Sequence, residues 1–117
     1  MFNNHTPLYT QLADEMRKKI LMGTWKEDEK IPSVRDIALE YGINPNTAQK
    51  AIKILEDEGL VYAKRTLGKF VAKNKEETSK GLEDLREEIL TESVQKLKGL
   101  KTEKEEALSL LDRLWEK

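Results

Sequence analysis

Apolar residues recur at every fourth position near the start of the chain. The stripe consists of Leu8, Leu12, Met16 and Ile20. This spacing predicts an amphipathic helix. Thr6 is expected to be its N-cap, with Pro7 at the first helical position, where the missing N–H is not needed. Gly23 is expected to end the helix in a left-handed conformation.

Two shorter helical segments follow. Ser33 and Asp36 have the spacing of a capping box, which predicts a helix that ends at Gly42. Asn44 before Pro45 predicts another helix start, and the third helix is expected over residues 45–58, ending at Gly59. Two helices joined by a tight glycine-containing turn are typical of a helix-turn-helix.

The hydrophobic period changes from 3.6 to 2 after the third helix. Residues 60–64 and 69–73 alternate as strands do, and residues 65–68 have the composition of a hairpin turn. Three helices followed by a β-hairpin predict a winged helix-turn-helix. The expected fold class is therefore mostly α with a β-hairpin wing.

The C-terminal part predicts a separate helical unit. A polar linker is expected over residues 74–80, a break near Gly99, and a capping box from Thr102 to Glu105. Two amphipathic helices joined by a short break predict a two-helix hairpin. The rest of the chain offers too little apolar surface to cover the apolar stripes of these helices, so pairing with a second copy is expected. The predicted dimerisation residues are Leu82, Leu85, Ile89, Leu97, Leu108, Leu111, Leu114 and Trp115. The predicted domains are residues 1–75 and residues 76–117.

Charge is unevenly distributed along the 117 residues. The total is 21 Lys and Arg against 22 Asp and Glu, a net charge of −1. Residues 1–75 carry 13 basic and 10 acidic side chains, whereas residues 76–117 carry 8 and 12. This segregation suggests that the N-terminal domain meets a polyanion while the C-terminal one has another role.

Several classes of protein are disfavoured by composition. The absence of Cys excludes disulfide scaffolds, thiolate zinc sites and cysteine nucleophiles, and the single His5 near the terminus gives no basis for a catalytic triad. We therefore expect no metal, no cofactor and no enzymatic activity. The longest apolar run, residues 60–63, is far too short for a membrane span, and no signal peptide is apparent, so a cytoplasmic protein is expected.

The third helix carries the candidate chemistry. Its core face is expected to contain Ala48, Ala51, Ile52 and Leu55, and its outward face Asn46, Thr47, Gln49, Lys50 and Lys53. Polar side chains of these types near the N-terminus of the second helix of a helix-turn-helix can reach base edges in the major groove of DNA. The alternative is an ordinary solvated helix face. The position of the helix between a capped helix and a hairpin favours DNA reading.

Two further basic groups are candidates for DNA contact. Arg35 lies in the first turn of the second helix, where the helix dipole disfavours a cation, and a DNA contact would explain it. The alternative is a salt bridge to Asp36 or Glu40. The hairpin tip, which could instead be a plain polar turn, suits the minor groove or its phosphates. Its residues are Arg65, Thr66, Gly68 and Lys69.

These motifs resemble the GntR family of bacterial transcription regulators. The matching stretches are PLYTQL at 7–12, Gly23 with Trp25, KIPSVRDIALEYGINPNTAQKAIKILEDEGLV at 30–61, and GKFV at 68–71. The short two-helix tail and INPNT resemble the YtrA subfamily, whose members dimerise through a compact C-terminal hairpin and typically repress operons that include ABC transporters. The resemblance implies DNA contacts by Arg35, by residues from Asn44 to Lys50, and by the hairpin tip.

Two positions depart from the family pattern. The family usually has Gly at the position of Thr66, so the wing tip is expected to approach the minor groove less closely. It also usually has Gly at the position of Asp28, where we expect only a surface turn to change. The effector domains of larger family members have no counterpart in residues 76–117.

The sequence thus predicts a homodimeric repressor whose partners are double-stranded DNA, in the form of an inverted-repeat operator, and a second copy of itself. A small-molecule effector, where one acts, is expected between the two domains or in the dimer interface. The alternative function is a winged-helix protein–protein adaptor without specific DNA binding. An enzyme is a third option that lacks a nucleophile–base constellation.

Overall fold

The predicted order of helices and strands is confirmed. The computed structural model describes residues 2–73 and 75–117, and it divides into two compact units: one that ends at Lys80, called the head, and one formed by Gly81–Lys117, called the tail. The elements are α1 (Leu8–Leu21), α2 (Val34–Tyr41), α3 (Pro45–Asp57), β1 (Val61–Lys64), β2 (Gly68–Val71), α4 (Lys75–Gly99) and α5 (Lys104–Trp115).

The core of the head is built around α3. This helix packs against α1, α2 and β1, and its inward residues Ala48, Ala51 and Leu55 are completely buried, as predicted. Leu12 and Met16 of α1 are equally inaccessible. Because burial of each large apolar side chain contributes about 1.5–3 kcal/mol, this packing holds α3 in place and leaves its opposite face to solvent.

The predicted caps of α2 and α3 are confirmed. The Ser33 hydroxyl accepts a hydrogen bond from the Asp36 N–H at 3.1 Å, and Gly42 ends α2 in the left-handed conformation at φ 65°. The Asn44 side chain accepts from the Asn46 N–H at 2.8 Å, with Pro45 at the first helical position. These short-range bonds fix the turn between the two helices.

The predicted N-cap of α1 is wrong. Thr6 does not cap the helix: the N-cap is Pro7, which makes no side-chain bond. The chain before the helix is held instead by Gln11, whose side-chain N–H groups donate to the Asn3 carbonyl at 2.8 Å and to the Thr6 carbonyl at 2.9 Å. A glutamine one turn into the helix therefore ties down the chain before it.

The β-hairpin is shorter than predicted. Its antiparallel register pairs Val61 with Val71 on the core face and Tyr62 with Phe70 on the opposite face. Lys30 forms an isolated bridge with Phe70, so the connector before α2 lies along the outer edge of β2. The predicted turn covers residues 65–68, but Gly68 is the first residue of β2 and pairs with Lys64.

Asp28 does more than change a surface turn, contrary to expectation. It adopts the left-handed conformation at φ 61°, and its N–H donates to the Val71 carbonyl at 2.8 Å. Its carboxylate accepts from the Tyr62 hydroxyl at 2.9 Å and lies 3.1 Å from the Lys73 ammonium. The hydrogen bond from Lys73, followed by that from Tyr62, lowers the pKa of Asp28. Asp28 therefore joins the connector to both strands, to β1 through its carboxylate and to β2 through its backbone N–H.

We expect this bond set to make stability depend on pH in the acid range. Because the folded-state pKa of Asp28 is lowered, its contribution is complete above its unfolded pKa of about 4 and is lost as the pH falls through the lower folded value. Asp28→Asn should lower the melting temperature at pH 7, and the difference from the wild type should shrink below about pH 4. The control is Asp84→Asn, an exposed carboxylate on α4. A constant difference between about pH 7 and about pH 2 would contradict the prediction.

Helix α4 begins within the predicted linker. Residues 75–80, predicted as part of a polar linker, are helical, because Glu76 and Glu77 lie in the first turn of α4, where the helix dipole favours acidic residues. Asn74, the first residue of that linker, lies outside the described residues.

The break between α4 and α5 is centred on Lys101. The Thr102 N–H donates to the Leu97 carbonyl and the Lys101 N–H to the Lys98 carbonyl, both at 3.0 Å, in a Schellman arrangement. Lys101 occupies the left-handed position at φ 57°, where glycine is usual. Thr102 is thereby committed to closing α4, so the predicted capping box from Thr102 to Glu105 is wrong and Glu103 is the N-cap of α5.

Lys101→Gly is expected to stabilise the chain by about 0.5–1 kcal/mol, because glycine adopts a left-handed conformation without the clash of a Cβ atom. Thermal unfolding should show a higher melting temperature for this variant. Lys101→Ala removes the same charge and keeps the Cβ, so it should give no such gain. Equal melting temperatures for the glycine and alanine variants would contradict the interpretation.

Apolar side chains of the tail are left exposed. Among the predicted dimerisation residues Leu82, Leu85 and Leu97 are half-buried, whereas Ile89, Leu108, Leu111, Leu114 and Trp115 are exposed. Leu90 and Val94 of α4 are exposed as well. Val94 lies on the predicted apolar stripe of this helix and Leu90 does not, and neither is among the predicted dimerisation residues. Helix α5 has no buried residue and packs little against α4. No helix in the described ranges is both long and apolar enough to cross a membrane.

Candidate nucleic-acid interface

The outward face of α3 is exposed as predicted, except at Thr47. Asn46, Gln49, Lys50 and Lys53 are exposed, whereas Thr47 is half-buried. At the start of the helix the Asn44 side chain occupies the N–H of Asn46, and the Thr47 N–H donates to the Asn44 carbonyl at 3.0 Å. The side chains of the first two turns, more than the backbone N–H groups, are therefore available to a ligand.

Lys50 is supported by an aromatic ring from another helix. Its ammonium lies 5.5 Å from the centre of the Tyr9 ring, which belongs to α1. A cation over an aromatic face is stabilised by about 0.5–1 kcal/mol at an exposed site. Tyr9 is not among the predicted site residues, although it lies in the PLYTQL motif.

Lys53 differs from Lys50 in having a carboxylate partner. Its ammonium is 2.6 Å from the Asp57 carboxylate one turn further along α3, and this hydrogen bond raises the pKa of Lys53. The carboxylate compensates the lysine charge and would itself be repelled by phosphates. Among the cations of α3, Lys50 is therefore the better candidate for DNA contact.

Arg35 is exposed at the start of α2 and forms no ion pair with any residue in the described ranges. The predicted alternative, a salt bridge to Asp36 or Glu40, is wrong: the carboxylate of Glu40 lies 4.0 Å from the Lys19 ammonium instead. The Arg35 guanidinium is thus an uncompensated charge on the helix that precedes α3.

The wing tip is exposed and conformationally constrained. Arg65 and Thr66 are exposed, Thr66 has a φ of 67°, and Gly68 has a φ of 117°. Lys69, predicted as part of the tip, lies against α3, where its half-buried ammonium is 2.7 Å from the Glu56 carboxylate. That ion pair anchors the wing to α3.

Two cations near the wing are absent from the predicted site. Lys64 lies opposite Gly68 in the hairpin, with its ammonium 4.4 Å from the centre of the Phe70 ring. Lys30, on the connector, has its side chain beside Gly68. The alternation of side chains along β1 predicts the face of the hairpin on which Lys64 lies. The position of Lys30 beside the hairpin could not be predicted from the local sequence, because it depends on a contact between distant residues. In the described parts of the chain no three His, Asp or Glu side chains group as metal ligands.

Comparison with known proteins identifies the head. Residues 8–71 match the model of the family described as "Bacterial regulatory proteins, gntR family". The chain is 33% identical to the HTH-type transcriptional regulator YhcF of Bacillus subtilis over 107 residues, which are 92% of this chain and 88% of the relative. It is 40% identical to the HTH-type transcriptional repressor YtrA of the same organism over 73 residues, which are 62% of this chain and 56% of that protein.

Solved structures extend the likeness to the tail. A GntR family transcriptional regulator from Listeria monocytogenes has a TM-score of 0.89 at 25% identity, over 96% of this chain and 98% of that one. The DNA-binding domain of AraR, solved in complex with operator ORX1, has a TM-score of 0.58 at 31% identity. That match covers 62% of this chain and 93% of the AraR domain.

The family model spans more than half of the chain, including α2, α3 and both strands of the wing. The family consists of regulatory proteins, which confirms the expected class and the expectation that the chain is not an enzyme. The chain belongs to the gntR family of bacterial regulatory proteins.

Proposed function

We propose that the protein is a homodimeric, sequence-specific DNA-binding transcriptional regulator that acts as a repressor. The observation that carries the proposal is the surface formed by the first two turns of α3 and the start of α2. There Asn46, Gln49 and Lys50 are exposed, and Arg35 is an exposed cation without an ion pair in the described residues.

In this proposal α3 is the recognition helix, called the reading helix, and it enters the major groove of DNA. The groove admits one α-helix, and amide and ammonium side chains at the N-terminal end of such a helix discriminate base edges. Arg65 and Thr66 at the wing tip would reach the adjacent minor groove or its phosphates. Thr66 adopts the left-handed conformation, so the tip keeps the turn for which the family uses glycine and adds a side chain to it.

Relatives support the choice of partner. The AraR DNA-binding domain was solved with an operator, and YtrA is named a repressor. We infer the same class of partner, an operator in double-stranded DNA, for this chain, and a cytoplasmic location follows from that partner.

The exposed apolar residues of the tail support dimerisation. Leu108, Leu111 and Trp115 lie on one face of α5, and nothing in the described residues covers them. A second copy would cover them and provide a second reading helix. A two-fold dimer would then bind an inverted repeat whose half-sites are about 34 Å apart, or further if the heads are splayed.

Selection from genomic DNA fragments with the purified full-length protein tests the proposal. The expected result is one palindromic sequence, bound with an affinity that falls steeply as the salt concentration rises, because bound phosphates release counterions. Recovery of only unrelated fragments, or an affinity independent of salt, would overturn it. That outcome would favour the adaptor function, in which this surface meets a protein.

The target and the signal are separate parts of the proposal. Control of an operon with ABC transporter genes rests on the resemblance to the YtrA subfamily, and the genes next to the selected palindrome test it. Relief of repression by a small molecule stays a prediction. A thermal-shift screen with and without the selected duplex would detect a ligand that favours one state.

A further inference from the structure

The outer face of the wing carries two lysines on either side of a glycine. Gly68 pairs with Lys64 across the hairpin, and a Cβ atom built on Gly68 would lie 2.9 Å from Cε of Lys30. The aliphatic stem of Lys30 thus occupies the space that a side chain at position 68 would fill. Both lysines are exposed, and both lie on the hairpin face opposite the buried Val61 and Val71.

Packing limits the freedom of both side chains. The Lys64 ammonium lies 4.4 Å from the centre of the Phe70 ring and 5.8 Å from that of Tyr62. The backbone of Lys30 is bridged to Phe70, and its aliphatic stem lies against Gly68. A lysine whose stem is already packed loses less side-chain entropy when it binds an anion. The two cations are therefore partly ordered before any ligand arrives.

The charges of these two lysines are not compensated by an ion pair with any residue in the described ranges. Two acidic residues of the connector have other partners, although the Asp28 carboxylate also attracts Lys64 electrostatically without forming an ion pair with it. Asp28 is bound by Lys73 and Tyr62, and the Glu29 carboxylate accepts from the Lys26 N–H at 2.7 Å. Lys69, on the other face of the hairpin, is neutralised by Glu56.

We propose that Lys30 and Lys64 form a phosphate-binding clamp on the outer face of the wing, which grips the backbone of duplex DNA beside the half-site read by α3. The inference rests on the proposed function and deepens it. A compact ammonium acts as a point charge toward phosphate and carries no base preference, so the clamp adds affinity and orientation without adding sequence specificity. In this proposal the phosphate contact of the wing is made by Lys30 and Lys64, and Lys69 takes no part in it because it is paired with Glu56.

The test compares variants that keep the stem and remove the charge. Lys30→Met and Lys64→Met, in the full-length protein, are titrated by fluorescence anisotropy with the selected palindrome and with a random duplex of the same length. Each should weaken binding to both duplexes by the same factor, about three- to tenfold, and each should reduce the slope of log affinity against log salt by about 0.9 for every phosphate that is no longer neutralised. Lys30→Arg and Lys64→Arg should retain binding.

Lys26→Met is the matched control, because it removes one exposed lysine from the same connector. If the two clamp variants behave like Lys26→Met while Arg35→Ala weakens operator binding, the clamp is overturned and the proposed function stands. If they weaken binding to the palindrome alone and leave the salt slope unchanged, they read sequence or shape, and the phosphate assignment is overturned. If no variant, Arg35→Ala included, affects binding, the proposed function itself fails.

Discussion

Arg35→Ala and Lys50→Ala should each weaken operator binding by about 30-fold or more. A well-formed interaction of a cationic side chain with a base or phosphate is worth about 1–3 kcal/mol, and the proposed homodimer makes that interaction in both half-sites. Arg35 has no ion pair in the described residues to reduce its charge, and Lys50 lies over a tyrosine ring and pairs with no carboxylate of those residues. A mobility-shift titration with the selected palindrome measures the effect.

The size of the dimer and the fold of the head should not change in these variants. Both side chains are exposed and neither contributes to the buried core, so melting temperature and sedimentation should match the wild type. Lys53→Ala is the matched control, since its charge is already paired with Asp57 and its removal should cost less affinity. Unchanged operator affinity for both Arg35→Ala and Lys50→Ala would refute the assignment of the reading surface.

The parts of the head that sequence predicts well are those fixed by short-range chemistry. Ser33, Gly42 and Asn44 occupy cap positions whose partners lie within four residues, so the helix-turn-helix follows from the local sequence. The inward face of α3 follows equally directly from the spacing of Ala48, Ala51 and Leu55. Exposure of the reading face is then a consequence of burying the other face.

Contacts between distant parts of the chain could not be predicted in the same way. Lys69 has the composition of a wing-tip residue, but the register of the hairpin turns it toward Glu56 on α3. Asp28 has the composition of a surface turn, and its role appears only when the connector is placed beside Tyr62 and Lys73. Lys30 is 38 residues from Gly68 in sequence, yet the two are adjacent in the fold.

Competition between neighbouring elements explains the errors in the tail. Thr102 is a residue type typical of an N-cap. Its backbone N–H instead donates to the Leu97 carbonyl and closes α4, and the N-cap of α5 is therefore the next residue, Glu103. Gly99 looks like a stop signal and remains helical, because the left-handed position falls on Lys101. Local sequence patterns show that α4 ends in this region. The residue at which it ends is decided by the hydrogen bonds that close its last turn.

Leu111→Glu should convert the proposed dimer into monomers and reduce operator affinity by about 100-fold or more. The side chain lies on the α5 face with Leu108 and Trp115, and burying a carboxylate between two copies costs several kcal/mol. Monomers bind the two half-sites independently, so the gain from linking two binding events, about 100- to 10,000-fold, disappears. Sedimentation equilibrium measures the oligomeric state, and the mobility-shift titration measures the affinity.

Arg113→Glu introduces the same side chain on the opposite side of α5 and should leave both the dimer and the operator affinity close to those of the wild type. Binding of Leu111→Glu to a duplex with a single half-site should also be unchanged, because the head is a separate compact unit from the tail. A Leu111→Glu protein that remains dimeric would show that the copies meet elsewhere. A monomeric variant with full operator affinity would show that each head reads its site alone, and the exposed stripe of α5 would then need a different partner.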